Sequence, residues 1–192
     1  MKTLALTSIL ALCASALPSS GSQGNFARAI EVLDPSNTTC SATLKTGSFE
    51  FPHLIIPINS ATPSVAPGTS YNGQVSSTVS SLFNFDIPYG DNNRTCNLIF
   101  IFPSEEQRPS SWYTYSGEGE VSFSLLKEPA SMTTTFANAP DVDVEFGQAK
   151  LAPGHVYLVH KFECPGGQRL GVRMAGVGDV ELNYFQDYTS PP

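Results

Sequence analysis

An all-β fold, an antiparallel β-sandwich of jelly-roll type with about nine short strands, is what this sequence predicts. Three observations carry that expectation. Charged residues make up only 14% of the chain, while Gly and Pro number 15 each, a composition that suits strands joined by tight turns better than charged helical surfaces. No segment sustains a helical period. Turn formers punctuate the apolar runs throughout, at Pro67-Gly68, Tyr89-Gly90-Asp91, Gly117-Glu118-Gly119, Pro153-Gly154 and Pro165-Gly166-Gly167.

Residues 1–16 read as an export leader. Lys2 supplies a positive start, Leu4 to Leu12 an apolar run too short to cross a bilayer comfortably, and Ala14-Ser15-Ala16 a small-residue cleavage site. The mature protein is then expected to begin near Leu17, outside the cell or in the cell wall, with no membrane attachment after cleavage. Residues 17–48 are rich in Ser and Thr and form a variable segment with a short mixed stretch from Phe26 to Leu33. From Phe49 the apolar rhythm becomes regular. Alternation is clearest from Val75 to Ile87, read as one long strand with Val75, Val79, Phe83, Phe85 and Ile87 on its inner face and a wet outer face. Leu98 to Phe102 is apolar at every position and is expected to lie centrally, covered on both sides. Further strands are expected at Leu54 to Ile58, Trp112 to Tyr115, Glu120 to Leu126, Val142 to Phe146, His155 to Phe162, Arg169 to Met174 and Val180 to Tyr184. The domain would span 49–188, with a short tail at 189–192.

A mature chain of about 175 residues is enough for one domain with its own core. With 10 Lys+Arg against 17 Asp+Glu the net charge is −7, and loss of Lys2 takes it to −8. Neither a basic patch nor a polybasic amphipathic stretch is present, so nucleic acid and membrane surfaces are not expected partners. Cys13 leaves with the leader, and Cys40, Cys96 and Cys164 remain. Cys96 sits at the entry of one apolar strand and Cys164 at the end of another, so a bond between those two is expected. Cys40 is left over, as a free thiol, an intermolecular partner or the true mate of one of the others.

Six segments occur in an order that is informative as a set: FPHLIIPI (51–58), SYNGQVSSTVSSLFNFDIP (70–88), RTCNLIFIFP (94–103), YTYSGEGEVSFSLL (113–126), LAPGHVYLVHKFECPGGQ (151–168) and LNYFQDY (182–188). Together they resemble the fungal family of secreted proteins carrying the But C-terminal domain, named after a yeast binder of a ubiquitin-like activating-enzyme subunit. The resemblance covers residues 49–188 and implies a β-rich domain, a disulfide near positions 96 and 164, and residence outside the cell. It carries over no catalytic residue. Many relatives continue past the YFQDY-like segment, whereas here Ser190-Pro191-Pro192 follows. The polar N-terminal part matches the family poorly, so it gives Cys40 no role.

The candidate sites are few. Asp141, Asp143 and Glu145 look superficially like the paired carboxylates of a retaining β-glucanase. Ordinary alternation, with Val142, Val144 and Phe146 turned to the core, explains them more simply. His53, His155 and His160 lack zinc-ligand spacing, and no cofactor or metal is expected. Asp86, Asp91 and Asn92 near one turn offer oxygen ligands of the type calcium takes, but acidic turns are commonly just solvated. Trp112, Tyr113 and Tyr115 are the candidate sugar-stacking aromatics, although alternation turns Trp112 away from the two tyrosines. Sequons place N-glycans at Asn37 and Asn93. The sequence therefore points to a secreted, non-enzymatic wall- or surface-associated protein, with a polysaccharide-binding module or a glycoside hydrolase-like enzyme as alternatives and cell-wall polysaccharide as the expected partner.

Overall fold

The computed structural model describes residues 2–5, 30–33, 49–107 and 112–186. In chain order the strands are β1 (Lys2–Ala5), β2 (Glu31–Leu33), β3 (Phe49–Glu50), β4 (Leu54–Asn59), β5 (Asn72–Val75), β6 (Val79–Asp86), β7 (Thr95–Phe102), β8 (Tyr113–Ser116), β9 (Glu120–Leu126), β10 (Val142–Ala149), β11 (His155–Glu163), β12 (Arg169–Val177) and β13 (Glu181–Phe185). Two short 3-10 turns, Tyr89–Asp91 and Glu105–Gln107, are the helical elements among the described residues. The first sheet has the order β2-β11-β7-β1-β3, the second β10-β9-β12-β6-β4, and the third is the short ribbon β5-β13-β8.

Every pairing is antiparallel except those of β1, which runs parallel to both β7 and β3. Lys2–Ala5 belongs to the segment read as a leader, so export with cleavage would remove β1. The short β3 joins the sheet through β1, and on cleavage β7 would become the sheet's edge on that side.

The expected strands fall where the apolar patterns put them, with one division. The run from Val75 to Ile87 is two strands, because the chain turns at Ser76 to Thr78 and passes from the third sheet into the second. The Ser76 hydroxyl holds that turn by accepting from the Thr78 and Val79 N–H groups at 3.3 and 3.1 Å. The outer face of β6 is not wet either. Leu82 packs with Ile56, Ile58, Leu126 and Ala130 under the segment 127–141, and Ser80 and Asn84 are buried. Asn84 makes burial of that segment tolerable: its amide donates to the Ala130 carbonyl at 2.8 Å, and its oxygen accepts from the Ala130 N–H at 2.9 Å. Asn84→Ala leaves both backbone groups without a partner and is expected to cost about 2–4 kcal/mol of stability, measurable by urea unfolding.

The main core among the described residues lies between the three sheets. Phe83 and Phe85 of β6, Leu98, Phe100 and Phe102 of β7, Phe123 of β9, Met174 of β12 and Tyr184 of β13 all enter it. Phe100 is the shared element, with ring centroids 5.8 Å from Phe123, 6.3 Å from Tyr157 and 5.6 Å from Tyr184, so it touches all three sheets. The other side of β7, Ile99 and Ile101, packs with Phe49 and Val156, so both faces of Leu98 to Phe102 are covered as expected. Gly73 in β5 is required by packing, because the Tyr184 ring fills the space a Cβ would take.

Cys96 and Cys164 form a disulfide with Cα atoms 5.0 Å apart. It joins the start of β7 to the residue after β11, where Phe162 is already opposite Cys96. The bond therefore staples two neighbours within the first sheet and does not clip facing layers together. Cys13 and Cys40 lie outside the described residues.

Candidate functional site

Among the described residues, two surface clefts bear on function. The first, about 450 Å³, is lined by Phe51, Pro52, His53, Ile55, Thr69, Ser70, Tyr71 and Gln186. At its rim His53 Nδ1 lies 3.2 Å from Asp86 Oδ2, and His53 Nε2 lies 3.7 Å from Glu50. Arg169 grips Asp86 with two nitrogens, Nε on Oδ1 and a terminal nitrogen on Oδ2 at 3.1 Å. The hydrogen bonds from Arg169 hold the Asp86 carboxyl below its usual range, against partial desolvation, with the Arg169 charge and His53 adding to the effect. A carboxyl kept ionised in this way is the reverse of a glycosidase general acid, whose pKa must be raised.

Because its folded pKa is depressed, Asp86 contributes stability that is present above the unfolded value near pH 3.9 and lost as pH falls through the folded value. Its side chain is 38% exposed, so solvent screening keeps the contribution below about 1 kcal/mol. Asp86→Asn is expected to show a small stability loss at pH 7 that disappears in acid, read from thermal unfolding across pH.

The second cleft, about 320 Å³, lies on the outer face of the third sheet and is lined by Gln74, Ser76, Thr114, Ser116, Glu181 and Asn183, among others. Alternation along the three strands divides its two faces. Val75, Leu182 and Tyr184 point into the core, as do Tyr113 and Tyr115, whose rings pack edge-on to Phe102 at 4.6 and 5.2 Å. The Tyr115 hydroxyl donates to the Leu151 carbonyl at 2.8 Å, and desolvation raises its pKa. The outer face carries Asn72, Gln74, Thr114, Ser116, Glu181 and Asn183. The register sets Asn183 opposite both Gln74 and Thr114, and the Asn72 amide donates to Asn183 Oδ1 at 3.3 Å. Trp112 continues this face: its carbonyl accepts from the Phe185 N–H at 3.0 Å, and it is 42% exposed.

The three aromatics expected to stack on sugar are thus divided. Trp112 faces solvent, while Tyr113 and Tyr115 are half-buried and packed on the core because they alternate with it on a strand whose inner face meets Phe102. The residues that accompany Trp112 are amides and hydroxyls, which no aromatic pattern in the sequence marks. Their signal was present: Asn is a poor strand former, yet it recurs in SYNGQV and LNYF.

The remaining candidates are dispersed. Asp141, Asp143 and Glu145 are exposed at and along β10, the edge of the second sheet, and line neither cleft. Register shifts at Val142/Val144 and Glu145/Gly147 break the alternation, so Val144 is 43% exposed and does not join the core with Phe146 as expected. Asp141 pairs with Lys127 at 3.2 Å. His155 lies 3.0 Å from the Pro153 carbonyl, and His160 stacks on Phe146. Of the proposed oxygen ligands, Asp86 is held by Arg169, and Asp91 is buried with Arg94 at 3.3 Å. Among the described residues no group of three or more His, Cys, Asp or Glu gathers into a metal site. Asn93 is exposed at a left-handed position (φ 62°) that Asn tolerates, and Asn37 lies outside the described residues.

Fold and site together define a disulfide-stapled, all-β sandwich domain with one amide- and hydroxyl-bearing sheet face. Residues 50–190 match the family described as the ubiquitin 3 binding protein But2 C-terminal domain. The chain belongs to that family. No curated protein matches it in a sequence search. No helix among the described residues is long and apolar enough to cross a membrane.

Proposed function

We propose that this chain is a secreted protein that works, without catalysing a reaction, at the cell wall or cell surface. The observation that carries the reading is the Cys96–Cys164 disulfide, buried at both ends and therefore part of the folded core. Such bonds form and persist in oxidising compartments and are rare in the cytosol. The leader pattern of residues 1–16 and the exposed sequon at Asn93 support the same compartment. A non-enzymatic role is supported by Asp141, Asp143 and Glu145 standing along an open edge and by Arg169 holding the Asp86 carboxyl below its usual range.

The family's name attaches a ubiquitin-related partner to a relative. That partner class belongs to the reducing cytosol, where the buried disulfide would not be expected, so the structure gives the name no support as a guide to function here. The test is to express the chain with its own N-terminus in a secreting fungal host and fractionate the culture. The expected result is protein in medium or wall extract whose mass falls on endoglycosidase treatment, with the glycan at Asn93. Protein confined to the cytosol and unglycosylated would overturn the proposal.

A further inference from the structure

The outer face of the third sheet breaks local preference in a concentrated way. Asn72, Gln74 and Asn183 occupy half-buried, outward-facing strand positions where Thr or Val would fit the pleat better. A sequence that departs from strand propensity without gaining packing marks a surface kept for a ligand. The face is also almost neutral, since Glu181 is the one ionisable side chain among the cleft-lining residues. The bond between Asn72 and Asn183 fixes two amides in register yet uses only part of their capacity, because each amide has two donor hydrogens and an acceptor oxygen.

From these features we infer that the cleft binds a neutral, hydroxyl-rich glycan chain running across β5, β13 and β8. Amide pairs and hydroxyls offer the donor-and-acceptor combination that sugar hydroxyls require, and Glu181 adds an acceptor. Trp112, at the end of the same face beside Phe185, gives one sugar ring an apolar surface to lie on. Strand spacing of about 4.8 Å sets the polar groups out at intervals along which successive sugar residues can each find a partner. An acidic polymer is disfavoured by Glu181 and by a chain charge of −7. The site deepens the wall- or surface-associated reading and rests on it for where such a glycan would be met, but binding by purified protein is read independently of location.

The test is calorimetric titration of the purified, disulfide-intact protein with a β-1,3-glucan hexasaccharide, with chitohexaose and with oligogalacturonate. Binding of at least one neutral oligosaccharide is expected, and which of the two it is identifies the source polymer. Trp112→Ala, a solvent-facing change, should weaken binding about tenfold, the size of one lost ring stack. Asn183→Ala should do at least as much, while Tyr71→Ala, in the other cleft, should leave the affinity unchanged. Unchanged thermal unfolding of Trp112→Ala separates lost binding from lost folding. The proposal fails if neither neutral oligosaccharide binds, if oligogalacturonate binds better, or if Tyr71→Ala abolishes binding that Trp112→Ala and Asn183→Ala retain.

Discussion

Replacing Cys96 and Cys164 together by Ala is expected to lower the unfolding free energy by about 4 kcal/mol, the chain-entropy value for a loop of this length. The two residues are separated by 68 positions, and the intervening chain includes β8, β9, β10 and β11. Cutting the staple therefore frees parts of all three sheets in the unfolded ensemble. Packing adds to the loss, since both sulfurs sit in the main core at 1% exposure. The measurement is urea unfolding of the wild type and the double variant, where the midpoint should fall by well over a molar if the slope is typical of small domains. A double variant as stable as the wild type would show that the bond contributes no net stability.

Phe100→Ala is expected to be comparably damaging, at about 3–5 kcal/mol. The ring is 1% exposed and sits between Phe123 of the second sheet and Tyr184 of the third. Removing it opens a cavity where three layers meet, and no single strand can shift to fill it without pulling away from its hydrogen-bonded neighbours. Phe100→Leu, which keeps most of the volume, should recover a large part of the loss. Equal unfolding midpoints for Phe100→Ala and the wild type would contradict this description of the core.

Much of this architecture is legible in the amino-acid order. Leu98 to Phe102 announces itself because a strand buried on both faces must be apolar at every position, and β7 is such a strand. Cys96 and Cys164 are readable as a pair because each stands at a strand end. The break between β5 and β6 is hidden because Ser76 and Thr78 serve equally as outward strand positions and as turn residues. The burial of Asn84 is hidden too, since Ala130 of the covering segment lies 46 residues away and only folding brings it to the Asn84 amide. The candidate site has the same character. Trp112 is visible as a lone tryptophan, but Asn72 and Asn183 are 111 residues apart, and their alignment exists only after β13 has paired with β5. The bulges in β10 explain the remaining difference, for a register shift moves Val144 outward while leaving the residue pattern unchanged.

The most direct measurement is non-reducing peptide mapping of the protein recovered from culture medium. A peptide pair linked through Cys96 and Cys164 is expected, together with an N-terminus near Leu17, so that residues 2–5, and with them β1, are absent. Recovery of those two cysteines as free thiols, or of an intact chain beginning at Met1, would contradict this expectation.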